Sequence, residues 1–149
     1  SKSVQELFGN ELQGAQTLTV THTQSCVAVN DGKGRFAIRP LPLELQLSSV
    51  NAIGVTDLNN DGYPDLVTGG NFFDLLPQFC RIDASYTNIL LNDGSGSFRV
   101  VAPGARGISL NGQVRDIIRF PYRNKDGFLY LLNNDRPVYY SYELPAKGK

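Results

Sequence analysis

The sequence predicts an all-β domain of antiparallel hairpins with one short helix at its start. Three observations carry that prediction. Runs rich in β-branched and apolar residues alternate with clusters of Asn, Asp, Gly and Ser, as in Val50–Thr56 before Asn59-Asn-Asp-Gly62. Such runs bounded by turn residues read as strands and hairpins. A nine-residue pattern, two apolar residues followed by Asn-Asp-Gly-x-Gly-x-Phe, occurs at 28–36 and again at 90–98. The 149 residues include 15 Gly, 8 Pro and 41% hydrophobic residues, enough for one domain with its own core.

In chain order, Ser3-Val-Gln-Glu6 is a capping box that opens a short helix through Leu7 and Phe8, ended by Gly9. Thr17–Thr23 has the β-branched content of a strand. Its His22, the only histidine, has no nucleophile motif beside it and reads as a surface or half-buried side chain. Strands are expected at 25–29 and 35–39 around Asn30-Asp-Gly-Lys-Gly34. Leu41–Leu47 alternates in apolar residues, but its prolines demote it to an edge or connector. A hairpin follows over 50–69, and Gly69-Gly70 is expected to turn the backbone away sharply. Residues 71–83 make a long connection rich in large apolar groups. The next hairpin pairs 86–91 with 97–101, a loop is marked by Gly104, Gly107 and Gly112, and strands are expected at 114–120, 128–132 and 137–142.

Chemistry concentrates in Asp57-Leu-Asn-Asn-Asp-Gly-Tyr-Pro-Asp65. Calcium takes roughly six to eight oxygen ligands, and loops supply them at alternate positions. Asp57, Asn59, Asp61 and Asp65 stand at such positions, with the carbonyl of Tyr63 between the last two. Three carboxylates this close repel one another unless a cation sits among them, and no Lys or Arg lies inside the loop. An EF-hand needs helical flanks and a Glu at its twelfth position; here the flanks are strand-like and the twelfth residue is Thr68. Plain hairpin-turn chemistry accounts for Asp61 and Gly62 but not for the spacing of Asp57, Asn59 and Asp65.

The pattern Asp-x-Asn-x-Asp-Gly-x-x-Asp, followed by an apolar pair and Gly69-Gly70-Asn71, resembles the FG-GAP or VCBS repeat. The two signatures Ala28–Phe36 and Leu90–Phe98 resemble the element that follows it in bacterial members. The resemblance covers about residues 25 to 135. Pro40-Leu-Pro42, Gly70-Asn71 and Gly112-Gln-Val-Arg115 are also similar to the carboxy-terminal stretch of secreted VCBS-repeat proteins related to the ASPIC/UnbV group. It implies two to three β-propeller-type blades, part of a larger propeller, with Ca²⁺ held in the hairpin by Asp57, Asn59, Asp61, Tyr63 and Asp65. Residues 1–149 then form one β domain: a partial first blade with the helix over 1–49, the calcium-binding blade over 50–102, and a degenerate last blade over 103–149. In that last blade Tyr122-Arg-Asn-Lys-Asp-Gly127 has lost the ninth-position carboxylate and gained Arg123 and Lys125, so no calcium is expected there.

A propeller closes with about four to eight blades, so the missing ones come from the remainder of a longer chain, from other chains assembling a ring, or the blades rearrange into a compact barrel or sandwich. The function implied is a calcium-stabilised, secreted or cell-surface (extracellular or periplasmic) module that binds a protein or glycan without catalysis. Phe72, Phe73 and Phe79 in the long connection are the candidate ligand-binding residues, set against the plain expectation that they pack between blades. The alternatives are a purely structural segment of a larger secreted protein, or a hydrolase-type enzyme acting through Asp83, Asp116 or the loop carboxylates. No catalytic motif or zinc signature is present.

Lys plus Arg and Asp plus Glu are both 14, a balance that lends no support to nucleic acid or an anionic membrane as partner. No apolar run approaches the roughly twenty residues of a membrane span. The chain begins at Ser1, contains no Met and carries no signal peptide, which reads as a processed product, a trimmed chain or a fragment. Cys26 and Cys80 lack metal-type spacing and either bridge or remain two small buried thiols.

Overall fold

The computed structural model describes residues 2–76, 78, 80–102 and 107–143. Phe79 and Gly104, singled out in the sequence, lie outside these. A single helix, α1 (Val4–Phe8), opens the chain. Its capping box is complete: the Ser3 amide donates to Glu6 Oε2 at 2.7 Å and the Glu6 amide to Ser3 Oγ at 3.2 Å.

The strands form three antiparallel sheets. β1 (Cys26–Asn30) pairs with β2 (Phe36–Pro40). β3 (Val50–Thr56), β4 (Asp65–Gly70), β5 (Asn88–Asn92) and β6 (Phe98–Val100) make a four-stranded meander. β7 (Val114–Arg119), β8 (Asp126–Leu132) and β9 (Val138–Tyr142) make a three-stranded one. The two nine-residue signatures build the same hairpin turn bond for bond. Asn30 Oδ1 accepts the Gly32 amide at 2.8 Å and Asn92 Oδ1 the Gly94 amide at 3.0 Å. Asp31 Oδ1 accepts Lys33 and Arg35 amides as Asp93 Oδ1 accepts those of Ser95 and Ser97.

The four-stranded sheet is the middle layer. Alternation along each strand sends its side chains to opposite faces. On one face Ala52, Val67 and Ile89 meet Val114, Ile117 and Phe128 of the three-stranded sheet in the main core. On the other, Leu90 meets Leu41 and Leu45 beside Val27 of β1. The small residues face inward on β3: a Cβ on Gly54 would stand 3.0 Å from the Phe128 ring. Their bulky neighbours Ile53 and Val55 face the other way and are 52% and 59% exposed.

Several expectations are corrected. Thr17–Thr23 is not a strand, and Leu18 and Val20 stand exposed. Strand propensity expresses fit to a pleated, packed surface, and no described strand lies beside this segment. Leu41–Leu47, by contrast, is the connector its prolines allowed, with a 3-10 turn over Leu43–Leu45. Gly69 and Gly70 do not turn the chain; both lie inside β4. They are there for close approach: a Cβ on Gly69 would come within 2.7 Å of Val114. The turn falls instead to Asn71, at φ 73°. Cys26 and Cys80 are unbridged and both exposed, so neither cysteine reading holds.

Candidate functional site

The β3–β4 loop folds onto its own oxygens. Asp57 accepts the amides of Asp61 (3.2 Å, Oδ1) and Gly62 (2.9 Å, Oδ2). Asn59 Oδ1 accepts the Asp61 amide at 3.3 Å, and Asn59 Nδ2 donates to Asp61 Oδ2 at 2.7 Å. Asp61 Oδ1 takes the Tyr63 amide at 2.8 Å. Gly62 has φ 90°, a backbone state that glycine adopts without strain. Asp57, Asn59 and Asp61 therefore share one turn at the loop mouth.

Asp65 sits at the base of the loop and is fully buried. Its Oδ2 accepts the Leu58 amide at 2.8 Å, closing the loop, and its Oδ1 accepts the Asn92 amide at 2.8 Å, joining the loop to the next hairpin. Asn92 Nδ2 returns a bond to the Pro64 carbonyl at 3.1 Å. The Tyr63 ring lies over Gly94, where a Cβ would meet it at 2.5 Å. Among the described residues, no three Asp, Glu, His or Cys side chains converge tightly enough to enclose a metal ion. Each carboxylate oxygen still has a second lone pair, and the donor set is all oxygen, as a hard cation requires.

Residues 49–87 match the model of the FG-GAP repeat. The matched stretch runs from just before β3 through the loop and β4 to the residue before β5. The chain has no significant match among curated proteins or solved structures.

In the next turn, Asp93 is held below the usual carboxylate range by the Ser95 hydroxyl and by the amides of Ser95 and Ser97. The degenerate loop of the third sheet is bounded by ion pairs. Arg119, not Lys125, faces Asp126, at 3.0 Å, and this bond raises the guanidinium. Lys125 reaches Glu143 at 3.1 Å.

Phe72 and Phe73 are half-buried. Phe72 exchanges backbone bonds with Ile82 at 2.8 and 3.0 Å, and the Arg81 guanidinium stands 4.0 Å from the Phe73 ring centre. They lie at the opposite end of the sheets from the Asp57–Asp65 loop, because β4 runs away from that loop. Sequence reasoning missed the residue that organises this end. Asn71, fully buried, accepts from Ser48 Oγ and the Ser85 amide and donates to the Ser85 carbonyl, at 2.8, 2.9 and 2.8 Å. An Asn directly after a strand-ending Gly-Gly pair was the available signal, since Asn tolerates the left-handed region. Asp74 is the second omission: it accepts from Gln113 Nε2 at 3.1 Å and Asn133 Nδ2 at 3.2 Å, with Arg115 at 3.6 Å.

Proposed function

We propose that this chain is a calcium-stabilised, extracellular β-propeller module that mediates binding to a protein or glycan and performs no catalysis. The FG-GAP match over 49–87 carries the reading, because it falls on the one loop whose oxygens stand at calcium-ligand spacing. Asp57, Asn59, Asp61, the Tyr63 carbonyl and Asp65 would hold the ion, with Asp57 and Asp61 exchanging loop amides for it. Binding energy of the ion then becomes folding energy. The finer kinship with VCBS-repeat proteins of the ASPIC/UnbV group belongs to the same proposal and rests on the sequence motifs. So does an extracellular or periplasmic location; no helix among the described residues is long and apolar enough to cross a membrane.

Further blades, in the same chain or from others, are part of this reading. Ile53 and Val55 on β3, and Ile118 and Phe120 at and just beyond β7, are 42% to 59% exposed. Repeats of this kind bury such side chains only against neighbours. The half-burial of Phe72 and its pairing with Ile82 favour a second reading, a purely structural segment without a ligand.

Native mass spectrometry with calcium and after chelation tests the proposal. One calcium per chain, lost on chelation, is expected. Calcium-dependent dimers or trimers would assign the missing blades to other chains, and no retained metal would sink the calcium assignment.

A further inference from the structure

We infer that the cleft between the β4–β5 connection and the β8–β9 turn is a binding site for a single neutral sugar ring. This deepens the binding-module reading and rests on it. The cleft measures about 260 Å³ and is lined by Phe73, Asp74, Gln113, Leu132, Asn133, Asn134 and Asp135. Pockets for drug-sized ligands hold roughly 300–1,000 Å³, so this one suits something smaller.

The lining chemistry selects the ligand. A sugar ring offers an apolar face of C–H groups and a rim of hydroxyls, each both donor and acceptor. Phe73 supplies an aromatic wall. The Arg81 guanidinium, which does not line the cleft, lies over that ring at 4.0 Å from its centre. Around the rim stand three amide side chains, which both donate and accept, and two carboxylates, which accept. The arrangement is pre-set: Asp74 Oδ2 takes bonds from Gln113 and Asn133, and Asn133 Nδ2 also reaches Gln113 Oε1 at 3.3 Å. Gln113 is 3% exposed, so the network is anchored in the protein. Arg115, 3.6 Å from Asp74, offsets one carboxylate, and Asp135 opposes an anionic ligand. Side chains already fixed lose little freedom on binding.

The test is a chemical-shift titration of the isotope-labelled chain with the methyl glycosides of glucose, galactose, mannose, fucose and N-acetylglucosamine. Each is taken to about 20 mM, since one ring in an open cleft binds on the order of 1 mM or more weakly. At least one sugar should move the side-chain amide signals of Gln113 and Asn133. Phe73→Ala should weaken that binding about tenfold, the scale of one aromatic contact. Asn134→Gly, which keeps the backbone's φ of 54° accessible, should weaken it too. Leu76→Ala, at an exposed residue outside the cleft, should bind as the parent does. Melting temperatures of all variants separate lost binding from lost folding. Shifts that survive both cleft variants, or a glycan-array signal that survives them, would overturn the cleft and leave the binding-module reading standing. No sugar or glycan bound by either method would overturn the cleft and strike the glycan half of that reading as well.

Discussion

The carboxylate of Asp65 accepts the backbone amide of Asn92 at 2.8 Å, so one buried side chain ties the β3–β4 loop to the start of the next turn. Its other oxygen holds Leu58 within the loop. Asp65→Ala strands two amides away from any acceptor. Bonds to charged groups contribute about 1.5–3 kcal/mol each, so a loss of about 3 kcal/mol is expected in urea unfolding. The loss should appear with chelator as well as with calcium. A variant destabilised only in calcium would reduce Asp65 to a metal ligand.

Asp61→Ala separates the other role. Asp61 is exposed at the loop mouth and bonds only within the loop. With chelator present, its removal should cost about 0.5–1.5 kcal/mol, the net contribution of a typical hydrogen bond. With calcium at a hundredfold excess over its Kd the parent gains about 2.7 kcal/mol, and the variant should lose most of that gain. Thermal melts of both proteins in millimolar calcium and in chelator check it. An equal calcium response in both would remove the site.

The sequence made the hairpins legible because turn residues and strand residues separate cleanly along it. Asn30-Asp-Gly and Asn92-Asp-Gly announce turns whose bonds close within a few residues, so local chemistry decides them. What depended on distant partners was not legible. Thr17–Thr23 has strand composition, but pairing requires a neighbour that no local signal supplies. Gly69 read as a bend because its need, room for Val114 some forty-five residues on, is a tertiary fact. The metal-loop spacing was visible in the residues, whereas the Asp74 cleft gathers 73–74, 113 and 133–135 and has no motif.

The contact between Gly69 and Val114 gives a test of how the sheets pack. Three Val114 side-chain carbons would stand 2.7 to 2.8 Å from a Cβ at position 69. Gly69→Ala should therefore destabilise by about 1–3 kcal/mol through overpacking. Val114 is 1% exposed, and Val114→Ala alone leaves a cavity. Combined, Val114→Ala removes the two methyls that crowd a Cβ at position 69, although its own Cβ stays at 2.8 Å, and the double variant should be more stable than the sum of losses by about 1 kcal/mol. Simple additivity in denaturant unfolding would mean that β4 and β7 do not meet there.

Tyr130 sets the behaviour at high pH. It is fully buried in the main core, and its hydroxyl has no hydrogen-bond partner among the described residues. Burial, with Tyr140 nearby, pushes its phenol well above the ordinary value of 10.0. The fold thus favours the protonated form. Below the unfolded value both states carry the proton and stability is complete. As pH rises past about 10 the unfolded chain ionises first, and stability falls with each further step. Tyr130→Phe removes that dependence. At pH 7 it also removes a polar group buried without compensation, so it should be neutral or stabilising, within about 1 kcal/mol. Urea unfolding at pH 7 and about 10.5 compares the two proteins. The variant should lose less on going to high pH, because the buried phenol is gone. A loss of about 2 kcal/mol at pH 7 would mean instead that the hydroxyl is bonded and that the core around Phe128 and Tyr140 is arranged differently.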